Sequence, residues 1–328
     1  MLAQSGVSFS KVLGQESAVA TLERALAIGR VHHAYRFEGP PGVGKELAAF
    51  ALAQALVCER GGGCGECSAC RRAVTLSADD PRVPLHPDVV LLGRGLYRGL
   101  LGGSSTEATG ISVEQVRRIV LARVGFPPHE GRALVFIVRE ADEITQQAAN
   151  ALLKTLEEPH DRTHFVLLTS RPSRLLDTIR SRTLPVRFAP LSDRVLASLL
   201  EARGLDPNVA PFAQGSASLA LELADPEEKQ ERDAFSEAAF AALTAPDLAP
   251  ALKLAEGQKK DRDGLKAQLA FFAQAVASDA RKSVTSDPAR ALSRALQHRT
   301  VLEAIADVER NVQPALALEA MFVRLRSG

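Results

Sequence analysis

The stretch from residue 39 to residue 46 has the composition and spacing of a phosphate-binding loop. Gly39, Gly42, Gly44 and Lys45 match the pattern G-x-x-x-x-G-K. Glycines let successive backbone N–H groups turn toward phosphate oxygens, and the lysine adds a positive charge for the outer phosphates. In the full pattern a Ser or Thr follows the lysine and binds magnesium, but this chain has Glu46. The loop therefore predicts a nucleotide site that has lost part of its metal shell.

A second set of catalytic residues should follow the buried-strand pattern at residues 132–138. A nucleotide hydrolase needs an Asp there for the magnesium shell and then a Glu that positions water. This chain has Arg139 and then Glu140, so Glu140 is a vestigial or weak candidate for the water-positioning carboxylate. Arg139 has the charge to pair with Glu46 and neutralise it. We expect ATP binding that is possible but weakened, doubtful Mg2+ binding, and loss of the chain's own ATPase activity.

The four cysteines of the chain lie in one short stretch, at Cys58, Cys64, Cys67 and Cys70. Two C-x-x-C steps share Cys67, and three glycines between Cys58 and Cys64 let the backbone fold back. In a cytoplasmic protein, clustered thiolates favour a closed tetrahedral zinc site over disulfides. Free thiols or a redox pair are the alternatives. We interpret the cluster as a structural Zn2+ site, because four protein ligands leave no open position for catalysis.

The elements that would position these residues alternate between strand and helix patterns. Apolar runs predict strands at residues 32–37, 88–92, 132–138, 163–170 and 186–188. Helical patterns separate these runs, and such alternation predicts an α/β fold with a parallel sheet and right-handed crossovers. Beyond Pro190 the strand patterns stop. Helical patterns broken by Gly and Pro then predict a small helical domain and a larger bundle.

Three shorter stretches carry predictions of their own. The pattern of Ile111–Val124 predicts one amphipathic helix, and the glycine-rich residues 93–110 predict a surface loop. His32 and His33 are adjacent, so a strand would point them to opposite faces. That arrangement favours a packing role for these histidines over metal binding or catalysis.

Composition narrows the class of protein. The chain has 328 residues, of which 46% are hydrophobic, and a net charge of +1. A chain of this size can bury a core and divide into two or three domains. The balanced charge argues against a protein that wraps nucleic acid by itself. The sequence has neither a run of about 18 apolar residues nor an apolar N-terminal segment, so we expect no membrane partner and a cytoplasmic location.

These pieces occur in an order that resembles bacterial clamp-loader proteins of the AAA+ class. The chain is similar to the delta-prime subunit of DNA polymerase III and to the related tau/gamma subunit. The similarity is continuous from about Phe9 to Phe188, and a collar-like helix near the end extends it. Its most specific motifs, besides the phosphate loop and the cysteines, are Leu13-Gly14-Gln15, His33-Ala34-Tyr35, the run from Asn150 to Pro159, Ile179–Thr183, and Asn311-Val312-Gln313-Pro314 followed by Leu316–Glu319.

The resemblance implies a domain plan and a set of site residues. Residues 1–188 would form an AAA+ P-loop core with a zinc-knuckle insertion at about 58–70, residues 189–231 a helical lid, and residues 232–328 an all-α collar. Val12, Gly14 and Gln15 would lie along the adenine pocket. Arg182 would be an arginine finger that acts in trans on a neighbour's ATP, with Thr183 in place of the family's Cys.

The resemblance also implies a function. The parts needed for hydrolysis in cis are replaced at Glu46 and Arg139, and the lid arginine expected after Gly215-Ser216 is missing. Arg182, which acts in trans, is retained. This asymmetry, together with a chain that ends at the collar, favours a delta-prime-type stator. Its partners would be the tau/gamma and delta subunits in a hetero-oligomeric ring, the sliding clamp, and primed DNA reached through the assembled complex.

Three alternatives remain open at the level of sequence. A tau/gamma-type motor would require that Glu46 and Arg139 be tolerated in an active ATPase. A stand-alone P-loop enzyme such as a nucleotide kinase would need an intact magnesium shell and a lid with convergent arginines. A zinc-module nucleic-acid binder would have to grip phosphates with the few bases near the cysteines, Arg60, Arg71 and Arg72.

Overall fold

The computed structural model describes residues 9–97, 110–257, 262–310 and 312–327. Most of the glycine-rich stretch predicted as a surface loop, residues 98–109, lies outside the described residues. The chain divides into two compact units. The first comprises Met1–Leu199 and Ala213–Leu219, and the second comprises Leu200–Phe212 and Ala220–Gly328. The lid and collar boundaries at residues 189, 232 and 328 stay a prediction.

The described part of the first unit contains a five-stranded parallel sheet. Its strands are β1 (Ala34–Glu38), β2 (Val89–Leu92), β3 (Leu134–Val138), β4 (Thr163–Thr169) and β5 (Leu184–Arg187). They lie in the order β2-β3-β4-β1-β5, with every neighbouring pair parallel. The five strands predicted from sequence are therefore confirmed. The strand β1, which leads into the phosphate loop, lies between β4 and β5.

Both faces of the sheet are buried. Successive side chains of a strand point to opposite faces, and here they enter two separate apolar cores. On β1, Tyr35 and Phe37 belong to one apolar core, and Ala34 belongs to the other. On β3, Val135 and Ile137 lie in the first core, whereas Phe136 lies in the second. Helices cover both faces, as expected of an α/β protein.

Six helices lie around the strands between residues 9 and 188 of the described chain, and the first of them precedes β1. They are α1 (Glu16–Ala27), α2 (Lys45–Val57), α3 (Ser68–Val74), a composite α4, α5 (Gln146–Glu157) and α6 (Asp177–Arg180). The composite α4 consists of α-helix Val113–Gln115, π-helix Val116–Leu121 and α-helix Ala122–Val124. The prediction of one uniform helix over 111–124 was therefore wrong in its middle, where the hydrogen bonds skip an extra residue.

The histidine pair also differs from expectation. His32 and His33 precede β1 rather than forming part of it, and their rings stack with centroids 4.3 Å apart. The prediction that they face opposite sides was wrong, because residues outside a strand do not follow its alternation. The Nε2 atom of His33 lies 3.0 Å from the carbonyl oxygen of Leu156 at the end of α5.

The C-terminal region is helical, as predicted. Its helices are α7 (Asp193–Glu201), α8 (Ala217–Leu223), α9 (Pro226–Thr244), α10 (Ala249–Gly257), α11 (Arg262–Ser283), α12 (Pro288–Glu309) and α13 (Pro314–Ser327). The apolar stripe Leu265, Leu269, Phe272 and Val276 of α11 is buried in the core of the second unit. Among the described residues, every helix is too short or too polar to cross a membrane.

A buried carboxylate fixes the start of β2 to the loop before β3. The side chain of Asp88 accepts backbone hydrogen bonds from His129 (2.6 Å), Glu130 (2.9 Å) and Gly131 (2.6 Å). Asp88 is 1% exposed. Burial by itself raises the pKa of this carboxyl, but the three N–H groups favour the charged form and lower the pKa below its usual value.

We predict that Asp88→Asn destabilises the protein by about 2 kcal/mol at pH 7, because an amide replaces the charged acceptor of three hydrogen bonds. The folded pKa lies below the unfolded value of about 3.9, so the stabilisation is complete at neutral pH and is lost as the pH falls through the folded value. Urea unfolding of both proteins between pH 7 and pH 3 measures the difference in the free energy of unfolding.

The matched control is Asp79→Asn, which changes an exposed aspartate in the same region. This control should change the unfolding free energy by less than about 0.5 kcal/mol. An Asp88→Asn protein as stable as the wild type at pH 7 would contradict the assignment.

Candidate functional site

The phosphate loop connects the carboxyl end of β1 to the first residue of α2. Gly39 donates its N–H to the carbonyl of Thr169 (3.2 Å), which joins the start of the loop to the end of β4. A Cβ atom at Gly39 would lie 2.3 Å from the carbonyl oxygen of Phe188, so only glycine fits. Gly44 adopts a left-handed conformation and precedes α2, whose N-terminus points at the loop. The local geometry is that of a phosphate-binding loop.

Lys45 is folded onto the backbone of its own loop. Its Nζ atom donates to the carbonyl oxygens of Gly39 and Pro40, each at 2.6 Å, and to Ser170 Oγ at 3.3 Å. Burial lowers the pKa of Lys45 to about 8. The ammonium group therefore has backbone partners in place of phosphate oxygens.

Glu46 and Arg139 form an ion pair at the position of the magnesium shell. Arg139 Nε donates to Glu46 Oε2 at 2.9 Å, and Arg139 Nη2 donates to Glu46 Oε1. The pairing suggested by the sequence is present, across 93 positions of the chain. A guanidinium thus neutralises the carboxylate in the place where a hydroxyl and an aspartate would hold a metal ion.

The adenine-pocket candidates lie together beside the loop. Gln15 is buried and bridges two segments, since its Nε2 donates to Ala189 O (2.7 Å) and Val43 O (3.2 Å). Its Oε1 accepts from the N–H of Ala189 at 3.0 Å. Gly14 has a φ of +67°, and a Cβ there would lie 2.9 Å from Leu191. Val12 is buried next to Gly44.

The segment that lacks the expected lid arginine packs directly on the phosphate loop. Ala217 donates its N–H to Gly42 O at 2.9 Å, and Gly215 O accepts from the N–H of Leu191 at 2.9 Å. A Cβ at Gly42 would lie 2.1 Å from Ser216 Oγ. Uncharged residues at the start of α8 therefore contact the loop.

Two acidic residues, Glu140 and Asp142, follow the end of β3, and they differ in exposure and in hydrogen bonding. Glu140 is exposed and adopts a φ of +44°, and its carbonyl oxygen accepts from the N–H of Glu143. Asp142 was missed as a site residue by the sequence analysis. Its carboxylate accepts hydrogen bonds from Thr169 Oγ1 and Arg171 Nε, both at 2.7 Å.

The environment of Asp142 favours its ionised form. Burial raises the pKa of this carboxyl, but the hydrogen bonds from Thr169 and Arg171 outweigh burial and lower the pKa. Its negative charge in turn favours the charged form of Lys45. The sequence does carry a signal for this site, because Asp142 and Thr169 end neighbouring strand patterns, and parallel strands end at one edge of the sheet.

Arg182 lies at the opposite edge of the sheet, just before β5. Its Nη2 lies 2.5 Å from Glu157 Oε1, and its Nη1 donates to Thr178 O (2.9 Å) and Ser181 Oγ (3.0 Å). β5 pairs with β1 in parallel register, with Leu184 opposite Tyr35, so Arg182 lies level with His33. His33 precedes Gly39 by six positions, which places Arg182 about 20 Å from the phosphate loop at ~3.3 Å per residue. Arg182 therefore cannot reach the loop of its own chain.

A buried arginine that the sequence analysis missed anchors the loop around Arg182. Arg36 Nη1 donates to Arg180 O (2.9 Å) and Thr183 Oγ1 (2.7 Å), and its Nε lies 2.5 Å from Glu38 Oε1. Thr183 also donates to Ile179 O at 2.9 Å. The hydroxyl of Thr183 therefore both accepts and donates a hydrogen bond, and Arg36 ties the loop around Arg182 to β1.

The four cysteines form a compact cluster. All four Sγ atoms lie within 4.8 Å of one another, and the Cys58–Cys67 and Cys64–Cys70 pairs are 4.0 Å apart. A disulfide requires about 2.05 Å, so the cysteines are free thiols. With Zn–S bonds of about 2.3 Å, a tetrahedral ion separates its ligands by about 3.8 Å. The cluster therefore fits one metal ion.

Backbone groups support the cluster. The N–H groups of Cys64, Cys67 and Cys70 each point at a cluster sulfur at 3.4 Å, which stabilises thiolates. Burial raises the pKa of the Cys58 thiol, but hydrogen bonds from the Cys64 backbone and neighbouring groups lower it to about 6. These donors suit a soft divalent ion such as zinc.

Comparison with known proteins places the chain in a family. Residues 14–192 match the family model described as DNA polymerase III, delta subunit. The gamma/tau subunit of DNA polymerase III from Mycobacterium tuberculosis is 38% identical over 193 residues, which cover 59% of this chain and 30% of that protein. The delta-prime subunit from Bacillus subtilis is 31% identical over 227 residues, covering 68% of this chain and 61% of that protein. The chain thus spans under a third of the gamma/tau relative's length.

Two solved structures that align with the chain have lower identity. A DNA polymerase III gamma subunit-related protein from Thermotoga maritima aligns with a TM-score of 0.47 and 18% identity, covering 93% of this chain and 98% of that one. The RuvB Holliday junction branch migration motor from the same organism aligns with a TM-score of 0.44 and 15% identity, covering 85% and 78%.

The family match and the geometry agree with one another. A parallel sheet with a phosphate loop after β1 and a helical C-terminal region confirms the predicted AAA+ fold class. The resemblance to bacterial clamp-loader proteins is likewise confirmed by the matching family and relatives. The chain belongs to the DNA polymerase III, delta subunit family.

Proposed function

We propose that this chain is a delta-prime-type clamp-loader subunit, a stator that supplies Arg182 to the ATP of a neighbouring motor subunit. The single observation that carries the proposal is the division of the two chemistries between opposite edges of the sheet. The site in cis is neutralised by the Glu46–Arg139 pair, whereas Arg182 lies at the far edge. A guanidinium on a neighbour's γ-phosphate stabilises charge that develops in the transition state.

Two further contacts support the loss of hydrolysis in cis. Lys45 is already bonded to carbonyl oxygens of its loop, so a phosphate must displace them. Ala217 and Ser216 contact Gly42 where a lid arginine would approach the nucleotide. Together these contacts satisfy the charged groups of the pocket within the chain, which would weaken binding of ATP and leave no shell for Mg2+.

The names of the relatives support other subunits of DNA polymerase III as the partners of this chain. Proteins named gamma/tau, tau and delta-prime subunits of DNA polymerase III are similar to this chain. We infer a hetero-oligomeric ring with tau/gamma and delta subunits in the cytoplasm. The helical C-terminal region would be its collar, and the assembled complex would load the sliding clamp onto primed DNA. By this association the chain would be part of a DNA-directed DNA polymerase holoenzyme.

The runner-up is a tau/gamma-type motor, which the higher identity to gamma/tau relatives favours. That function requires a magnesium shell, and the Glu46–Arg139 pair occupies its place. The same pair argues against a nucleotide kinase. We therefore prefer the stator, and ATP turnover by the isolated chain separates the two functions.

We further propose that the cysteine cluster binds one structural zinc ion. Cys58 follows α2, and Cys67 caps α3, so the ion would tie these two helices together. Gln54 Nε2 of α2 also donates to Cys70 O of α3 at 2.8 Å, so a hydrogen bond joins the same two helices. When bound, the ion would stabilise the insertion and take no part in chemistry at the phosphate loop.

The main prediction concerns Arg182→Ala in a reconstituted clamp-loading assay. The variant should assemble normally but lose most of the ATPase activity that clamp and DNA stimulate in the motor subunits, since arginine fingers contribute roughly 10³–10⁵ to turnover at the site they serve. Arg180→Ala, which changes the nearby exposed arginine paired with Asp177, is the matched control and should retain activity. Full activity of Arg182→Ala would overturn the stator assignment.

A second prediction concerns nucleotide chemistry in cis. The isolated chain should hydrolyse ATP no faster than its Lys45→Ala variant. Glu46→Thr combined with Arg139→Asp restores a hydroxyl and an acidic ligand, and should strengthen Mg2+-dependent binding of a fluorescent ATP analogue about tenfold, or about 1.4 kcal/mol. Wild-type turnover clearly above the Lys45→Ala background would instead support the motor.

A third prediction concerns metal. Elemental analysis of the purified chain should find about one zinc ion per molecule. Replacing Cys64 and Cys67 together with Ser should abolish the bound zinc and lower the thermal stability of the first unit, because the ion ties α2 to α3. Unchanged metal content in that double variant would rule out this site.

A further inference from the structure

The ion pair with Glu157 and two hydrogen bonds hold the guanidinium of Arg182 within its own chain. Of the guanidinium nitrogens, Nη1 donates to Thr178 O and Ser181 Oγ, and Nη2 contacts Glu157 Oε1 at 2.5 Å. The Nε atom is buried and has no acceptor among the described residues. The side chain is 32% exposed. In the free chain Arg182 therefore cannot present two nitrogens to an outside anion without leaving Glu157.

The position of Glu157 makes it a ready partner for a cation. It is the last residue of α5, where the helix dipole disfavours a negative charge. Glu158 follows it, so two carboxylates lie at the same helix end. His33 Nε2 contacts Leu156 O at 3.0 Å and holds this end of α5 against the start of β1. The positive charge of Arg182 therefore stabilises the carboxyl end of α5.

The base of the finger is held firmly while its tip is held weakly. Arg36 is buried and fixes the carbonyl of Arg180 and the hydroxyl of Thr183. Glu157, by contrast, has a side chain that is 47% exposed. An ion pair so open to water is weak and is screened by salt. Once the guanidinium gives up this ion pair and its two Nη1 hydrogen bonds, it can move by side-chain rotation without displacing its loop.

We propose that Glu157 is a positioning residue that keeps Arg182 retracted in the free chain, and that Arg182 leaves Glu157 to bind the γ-phosphate of a neighbouring subunit's nucleotide. The inference rests on the proposed function of Arg182. A phosphate carries more charge than a carboxylate and accepts two parallel hydrogen bonds from a guanidinium, so it outcompetes the single contact to Oε1. Glu157 thereby weakens the binding of other anions to Arg182 before assembly.

The test compares Glu157→Gln with Glu158→Gln. Both variants remove one negative charge from the same helix end, but only Glu157 pairs with Arg182. In the reconstituted clamp loader, Glu157→Gln should lower the concentration of this chain that gives half-maximal ATPase stimulation by about two- to fivefold, the range expected for an exposed ion pair. The maximal rate should stay unchanged, and the advantage should shrink as salt is added. Glu158→Gln should match the wild type.

A second readout uses the free chain and does not depend on ATPase activity. An arginine-specific dicarbonyl reagent should modify Arg182 about two- to fivefold faster in Glu157→Gln than in Glu158→Gln, as measured by peptide mass spectrometry. Unchanged modification together with unchanged half-maximal concentration would overturn the role of Glu157. If Arg182→Ala keeps full stimulated ATPase, the proposed function fails instead, so the two failures are distinguishable.

Discussion

A parallel sheet places the carboxyl ends of all its strands at one edge and the amino ends at the other, and the candidate sites of this chain follow that constraint. The phosphate loop, Arg139 and Asp142 come after strands, whereas Arg182 comes before one. About 20 Å along the strand direction separates the two groups, so they cannot act on one phosphate. The sheet topology as well as the motif therefore favours action of Arg182 on a neighbouring subunit's nucleotide.

At the carboxyl edge, charges that would bind a metal–nucleotide complex are satisfied within the chain. Lys45 bonds to loop carbonyls, and Glu46 bonds to Arg139. An ion pair this exposed adds little to the stability of the fold. In the proposed function its effect is on binding, because a neutral pair stands where a metal shell would be, while the loop geometry is kept.

At the amino edge, two arginines have different roles because one is buried and the other is partly exposed. Arg36 is buried, and a buried guanidinium persists only where hydrogen bonds and a carboxylate satisfy it, as Thr183 and Glu38 do here. Arg182 is partly exposed, so its pairing with Glu157 is open to competition from a stronger anion. A fixed base and a displaceable tip are what a finger acting across an interface needs.

The sequence alone determined the features that depend on local spacing. Glycine positions define the phosphate loop, C-x-x-C steps bring thiols together, and alternating apolar runs predict the buried strands, since each depends on residues a few positions apart. Tertiary structure decided which distant charges meet. Glu46 suggested Arg139, but Arg182 with Glu157, Arg36 with Thr183, and Asp142 with Thr169 follow from strand order. No short-range pattern encodes that order, because it arises from packing the whole sheet.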